Sequence, residues 1–387
     1  MDFTPTEEQT AAVELAAWIF GDLATHERLR DAGTDSDAGL WKALCAAGLP
    51  GAVEETGLLG LVLLAEEQGR TTAQVPFTAS CVYGLLTVAR HGTEEQRARL
   101  LPGLRDGTTV VTGAFPGTGA GAGAVRVDGD GFLAGTVDWV PWLRDATHVL
   151  VPDEEHALWW VPTAEASVTP VELTAPWAAG RLVLDGARGE RIGGVRGEHK
   201  GSAPGERRME GVGAYEDVLA MARIAFAGLQ AGVCAGSLAR AVAHTSVREQ
   251  FGRPLATRQA VQLRAADAHM DTEAIRVTAY EAAWRHDQGL PAAEQALTAA
   301  WWASEAGKRV VHTGQHLHGG MGADLDHPVH RHFLWGRQLD AYLGCGTELL
   351  AELGKVIANR GLTPNRDALA NRGPLAHADQ PADGALS

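Results

Sequence analysis

A chain of 387 residues with 45% apolar residues is long enough for two or three domains with ordinary buried cores, which excludes disorder as its main state. Its formal net charge of −15 argues against nucleic acid as a partner, because such partners select basic stripes and none is visible. No window reads as a bilayer span, and the opening Met1-Asp2-Phe3-Thr4 carries no basic or apolar leader, so the expectation is a cytoplasmic protein without a membrane partner.

Residues 4 to about 104 read as helical. Thr4 is placed to cap the first helix, with Pro5 at its first position and Glu7 completing a capping box; Thr93 with Gln96 repeats that signal before Leu100 and Leu101. Residues 40–44 and the run from Leu58 to Glu67 have the apolar spacing of helices packed on one another, which sets a first helical domain at 1–107. From Thr108 to about Arg207, short β-prone runs at 109–112, 148–151, 158–161 and 181–184 alternate with Gly, Pro and Asp, predicting a small β-domain, barrel or sandwich, over 108–207. The stretch from Gly194 to Gly213 has no core periodicity and reads as a linker or mobile loop.

Long helices return after Tyr215. The first carries Gly228, Gly232 and Gly236 at four-residue spacing. Each interior glycine costs a helix about 1 kcal/mol against alanine, so the stripe predicts close approach of another helix. Further helices read at about 258–288, to about 318, at 328–343 and at 347–359, giving a four- or five-helix bundle over 208–362, followed by a disordered tail at 363–387. The fold class is α+β multidomain, with helices, a small β-domain and a second helical bundle in that order.

Two segments carry chemistry. The first is Arg248-Glu249-Gln250-Phe251-Gly252-Arg253-Pro254-Leu255, followed by Gln259 and a helix bearing Ala265, Ala266, Asp267 and Met270. The second is Gln315-His316-Leu317-His318-Gly319-Gly320-Met321-Gly322. A glycine cluster at a helix junction lets a diphosphate approach bare N–H groups, and an arginine supplies the charge-assisted fork that phosphate oxygens accept. Together the two segments resemble the signatures of acyl-CoA dehydrogenases, and the resemblance covers roughly residues 1–360. It implies FAD as cofactor, with Arg248, Phe251, Gly252, Gln259, Gln315, Gly319, Gly320 and Gly322 matching its contacts, and Thr347 among the cofactor positions as well. It also implies two subunits sharing each cofactor, hence a homo-oligomer or a pairing with a sister acyl-CoA dehydrogenase subunit. The implied substrate is an acyl-CoA or carrier-bound acyl thioester, and the implied electron acceptor is an electron-transfer flavoprotein or oxygen. The opening Asp2-Phe3-Thr4-Pro5-Thr6-Glu7-Glu8-Gln9 resembles actinobacterial members that build two-subunit enzymes.

The sequence departs from the family where the oxidation needs a base. Desaturating a thioester requires removal of a weakly acidic α-proton by a positioned group in a dry site. The family places a glutamate in a Glu-Gly-Thr motif, and the matching stretch is Leu343-Gly344-Cys345-Gly346-Thr347, with Cys345 in its place. The other usual position, before a paired arginine that contacts substrate, falls on Ala222 beside Arg223. Cys345 either acts itself, near a helix start that favours a thiolate, or is a small buried residue; Glu348, Glu216 and Asp217 are the nearest carboxylates in sequence. The flavin-facing stretches of the family are degenerate here, at Ala114-Phe115-Pro116-Gly117 and Asp138-Trp139-Val140-Pro141, and Trp139 either stacks near the flavin or belongs to the β-domain core. Residues 50–60 read as a loop shortened against the family's glycine-rich turn. Cys45, Cys81, Cys234 and Cys345 have no paired spacing, so no metal site or disulfide is expected. Three functions fit: a flavoenzyme acting on an acyl thioester with a non-standard base, a non-catalytic subunit completing the FAD site of a sister chain, or a biosynthetic flavoenzyme of altered chemistry.

Overall fold

The computed structural model describes residues 2–115, 125–128, 130–193 and 213–362. The chain opens with α1 (Glu7–Leu23), α2 (His26–Ala32), α3 (Ala38–Ala46) and α4 (Leu49–Thr71). A helical stretch follows, formed by α5 (Phe77–Ala79), a π-helical segment (Ser80–Leu86) and α6 (Thr87–His91), and then α7 (Glu94–Arg105), capped by the expected Thr93 and Gln96 box. The first helix begins later than expected, with Thr6 rather than Thr4 as N-cap and Gln9 rather than Glu7 closing the box. The Gln9 amide serves twice: its Oε1 accepts from the Thr6 N–H at 3.0 Å and its Nε2 donates to the Thr56 carbonyl at 2.9 Å, which a carboxylate cannot do. Residues 50–60 are not a loop but the first half of α4. Its ladder breaks at Gly57 (φ 74°, ψ −166°), where the Asp287 carboxylate accepts from the Leu58 and Leu59 N–H groups at 2.9 Å each. That cap comes from another helix, so nothing local in the sequence announces it.

The middle of the chain holds β1 (Val111–Gly113), β2 (Arg126–Val127), β3 (Phe132–Val140), β4 (His148–Pro152), β5 (Leu158–Pro162), β6 (Ser167–Pro170), β7 (Gly180–Arg188) and β8 (Glu190–Arg191). They form two four-stranded sheets, ordered β1-β4-β5-β8 and β2-β3-β7-β6, with only β1 and β4 parallel. Val149, Val151 and Val161 of the first sheet and Leu133, Val137, Leu182 and Leu184 of the second share one core, the arrangement of a sandwich. The long strand β3 escaped the sequence reading because register shifts at Leu133/Ala134 and between Val137 and Val140 break its alternation. The loop expected at Gly194–Gly213 and the tail at 363–387 lie outside the described residues apart from Gly213.

After these come α8 (Ala214–Val247), a hairpin of β9 (Glu249–Gln250) and β10 (Arg253–Pro254), α9 (Gln259–Asp287), α10 (Ala293–His318), α11 (Val329–Ala341) and α12 (Gly346–Leu362). α8 is central, packed by α4, α9, α10 and α11. A Cβ on Gly232 would lie 1.9 Å from the Glu66 carbonyl oxygen and one on Gly236 2.2 Å from that of Arg70, so the glycine stripe seats the backbone of α4 as expected. α8 also corrects the reading of apolar windows, since it is long and apolar enough to cross a membrane. Of its apolar window 83% is buried inside the protein, as befits a helix surrounded by others.

Candidate functional site

The two signature segments meet at one end of the bundle. Arg248 is the C-cap of α8: its N–H donates to the His244 carbonyl at 2.9 Å, and its own carbonyl accepts from Leu255 at 2.9 Å, closing the hairpin. The hairpin tip, Phe251-Gly252, has positive φ at both residues (56° and 77°). A left-handed phenylalanine costs roughly 1–2 kcal/mol. That conformation holds the Phe251 ring 91% exposed, with the Arg258 guanidinium 5.2 Å from its centroid. α10 ends at Gly319 (φ 64°), and a Cβ at Gly319 or Gly320 would meet nothing, so bare main chain faces open space there. Between them lies a cavity of about 570 Å³ lined by Arg248, His244, His318, Leu255, Gly319 and Gly320, among others. Val247, Phe251, Met321 and Leu325 are exposed on the neighbouring turns.

Of the residues singled out in the sequence, Arg248, Gly319 and Gly320 are therefore brought together. Gly252 sits at the exposed hairpin tip and Gln259 is exposed at the first residue of α9. Gly322 is occupied structurally: its Cβ would fall 2.3 Å from the Gln315 carbonyl, and Gln315 Nε2 donates to the Gly322 carbonyl at 3.3 Å. Both shape the turn. Trp139, Arg223, Cys345 and Thr347 do not line this cavity and belong to a second region.

In that second region, the stretches expected to face flavin and base close on one another through aromatic rings. Phe115 stacks between Tyr83 and Tyr215, with centroids at 5.1 and 5.6 Å. Phe226, one turn beyond Ala222, meets Tyr342 edge-on at 4.7 Å, Trp139 lies 6.0 Å from Tyr342, and the Tyr83 and Tyr342 hydroxyls are 2.7 Å apart. Burial holds both phenols well above their ordinary range, so they stay protonated near neutrality. Trp139 is partly buried against this cluster, in the core shared with the helices. Pro116 and Gly117 lie outside the described residues.

The charged groups there are paired. Arg223 is 5% exposed and its two terminal nitrogens donate to the Glu352 carboxylate of α12 at 2.8 and 2.7 Å, while Nε faces the Leu343 carbonyl at 3.5 Å. Cys345 is half-buried at the start of α12: its N–H donates to Glu348 Oε2 at 3.1 Å and its carbonyl accepts from Leu349 at 3.0 Å. Glu348 thus caps a helix. Thr347 lies in the first turn of that helix. Asp217 is engaged elsewhere, accepting from His91 at 2.8 Å and His286 at 3.0 Å with Arg90 at 3.3 Å. Burial alone would raise its carboxyl, but the His286 and His91 hydrogen bonds hold it far below the ordinary carboxylate range. Glu216 is exposed, 3.7 Å from His156.

Comparison with known proteins settles the family. The profile described as "Acyl-CoA dehydrogenase, N-terminal domain" matches residues 6–108, and "Acyl-CoA dehydrogenase, C-terminal domain" matches residues 209–357. The chain is 32% identical over 388 residues to acyl-CoA dehydrogenase FadE27 of Mycobacterium tuberculosis, covering 92% of this chain and 99% of that one. This chain belongs to the acyl-CoA dehydrogenase family. Among solved structures, this family member is similar to a variant of the "Tcur3481-Tcur3483 steroid ACAD" (TM-score 0.82, 38% identity, 92% and 99% of the two chains). It is also similar to the ChsE4-ChsE5 complex from Mycobacterium tuberculosis (TM-score 0.81, 30% identity, 92% and 99%).

For an acyl-CoA dehydrogenase family member, the residues that sequence reasoning missed are Tyr83, Tyr215, Tyr342 and Glu352. One signal was available: Arg223, in the apolar first half of α8, demands an acidic partner, and Glu352 stands seven residues, two helical turns, after Cys345. The tyrosines gave none, since their meeting depends on three elements far apart in the chain: the π-helical segment, α8 and the end of α11.

Proposed function

We propose that this chain is the non-catalytic subunit of a two-subunit, FAD-dependent acyl-CoA dehydrogenase. In this reading it lends Arg248 and the Gly319-Gly320 turn to the diphosphate of a flavin whose ring lies in a sister chain that carries the base. The observation that carries the proposal is the closure of its own site: rings from the flavin-facing and base-bearing stretches pack together, and Arg223 is committed to Glu352. The first cavity fits the anionic half of FAD, with an arginine and open main chain at its wall. In this reading the packed rings of Tyr83, Phe115 and Tyr342 take the place that an acyl thioester and flavin ring would need. FAD, when bound, supplies the hydride acceptor. This chain's contribution is to hold the diphosphate and cover the cofactor, and the exposed Val247, Phe251, Met321 and Leu325 supply apolar surface beside the cavity for the sister chain to bury. The substrate, an acyl-CoA or carrier-bound thioester, and the electron acceptor, an electron-transfer flavoprotein or oxygen, then belong to the sister chain's site.

The test is to express the chain alone and with a sister family member that has an intact glutamate, and to record flavin absorbance and its bleaching by thioester. The reading expects bleaching only in the pair. Brisk bleaching by the chain alone would instead favour the first alternative, an active flavoenzyme with a non-standard base.

A further inference from the structure

The cavity at Arg248 has walls of unusual charge. The whole chain carries 48 acidic against 33 basic residues, yet every ionisable side chain lining this cavity is an arginine or a histidine: Arg248, His244, His316 and His318. His244 lies one turn before Arg248 on α8, and its ring stacks on that of His318 from α10, centroids 4.8 Å apart and 22° from parallel. A third ring, His327, lies 5.0 Å from His318. His318 Nδ1 is 2.7 Å from the Gly314 carbonyl, which only accepts, so Nδ1 carries the hydrogen. Its Nε2 is then left with a lone pair, which repels an anion, and can donate to one only by taking up a proton.

We propose that His244 and His318 are ligands of the bound diphosphate that act by taking up a proton, so that anion binding in this cavity is coupled to proton uptake. This rests on the reading of the cavity as a diphosphate site and goes beyond it. The surrounding charged groups are basic apart from Asp324. From α8 come Arg240 and Arg248, from α10 His316, from α11 His330, Arg331 and His332, and from the intervening turn His327 with Asp324. The Asp324 carboxylate accepts from the Asp326 N–H at 3.0 Å. His26 contacts the Asp326 carbonyl, and His330 Nδ1 that of His327. Burial first, then the neighbouring histidines and arginines, push His244 and His327 below the ordinary imidazole range. The surroundings of His244 and His327 therefore favour the neutral ring in the free protein. A dianion placed among them supplies the missing counter-charge and draws protons onto them.

By linkage, one proton taken up per anion makes affinity fall about tenfold per pH unit over the range in which the free rings are neutral and the anion-bound ring is protonated. At lower pH the rings are already charged and the dependence flattens. The probe is ADP-ribose, a diphosphate diester with no phosphate titrating near neutrality, added to the flavin-stripped full chain. Calorimetry at pH 6.0 and 7.5 in buffers of different ionisation enthalpy counts the protons. The expected result is uptake approaching one proton per ADP-ribose at pH 7.5 and binding several-fold or more tighter at pH 6.0. Both effects should shrink in His244→Gln and in His318→Gln, while Arg248→Ala weakens binding at both pH values and leaves the proton count. His244→Gln, at the less buried ring, keeps the test available if His318→Gln fails to fold. Binding with no proton uptake, or uptake that persists in both histidine variants, overturns the inference and leaves the diphosphate site standing. No binding of ADP-ribose by the wild type at either pH overturns both.

Discussion

Replacing Glu352 tests whether Arg223 is a structural clamp or a residue kept for substrate. Arg223 is 5% exposed and its guanidinium is satisfied by both oxygens of Glu352, which is itself 35% exposed. Breaking a fully buried pair by removing one partner costs about 3–5 kcal/mol, whereas an exposed pair contributes about 0–1 kcal/mol. With one partner buried and the other a third exposed, Glu352→Ala is expected to cost about 2 kcal/mol between those limits, because it leaves a buried cation facing only the Leu343 carbonyl. Arg223→Met combined with Glu352→Leu replaces both charges by apolar groups and should recover most of that loss. The assay is urea unfolding of the wild type, Glu352→Ala, Arg223→Met, Glu352→Leu and the double variant, followed by circular dichroism, with the last three and the wild type read as a double-mutant cycle. A coupling below about 0.5 kcal/mol, the usual scatter for independent sites, would refute the clamp and return Arg223 to the expected role at the substrate.

Gly232→Ala should cost at least about 3 kcal/mol, the upper end for overpacking, because the new Cβ meets backbone 1.9 Å away; Gly354→Ala, where a Cβ meets nothing, should be stabilising by about 0.5–1 kcal/mol, and thermal melts of both compare them. The Asp217 joint makes a signed pH prediction. Burial pushes His286 down, but its hydrogen bonds to Asp217 and Asp287 outweigh that and raise it, so its contribution is complete below about pH 6.5 and is lost as pH rises through the folded value. The Asp217 carboxyl is depressed, so its own contribution is present above about pH 4 and is lost only as pH falls through a far lower value. Melting temperatures from pH 6 to 9 should fall in the wild type and fall less in Asp217→Asn, which starts lower; parallel curves would contradict the assignment. Cys345→Glu in the chain alone should not produce bleaching by straight-chain acyl-CoA, although a positioned base is ordinarily worth about a hundred- to ten-thousand-fold. A clear rise in flavin reduction by that variant would mean that the acyl site is open.

The order of helices, strands and helices was legible in the sequence because each type has its own period, and the glycine stripe of α8 announced the approach of α4. Arg248, Gly319 and Gly320 were legible for a different reason: they lie in contiguous motifs whose chemistry needs bare N–H groups and a guanidinium. What the sequence did not show depends on partners far along the chain. Asp287 caps the break in α4, Glu352 answers Arg223, and the π-helical segment and α8 deliver the rings on either side of Phe115. That Cys345 and Ala222 carry no carboxylate was visible, but the contacts of Tyr342 with Phe226 and Tyr83 nearby were not. The contact between Gln315 and Gly322, which were read as cofactor positions, was not legible, because it forms only once the turn after α10 has folded back on the helix.

The central claim is that this chain lends a half-site to a flavin it does not use. The most direct measurement is the FAD content of the purified complex with its sister subunit, by absorbance after gel filtration, for the wild type and for Arg248→Ala in this chain only. The account predicts one FAD for each pair of chains, and loss of flavin without loss of the pair when Arg248 is replaced. Two FAD per pair, or full retention of flavin by Arg248→Ala, would contradict it.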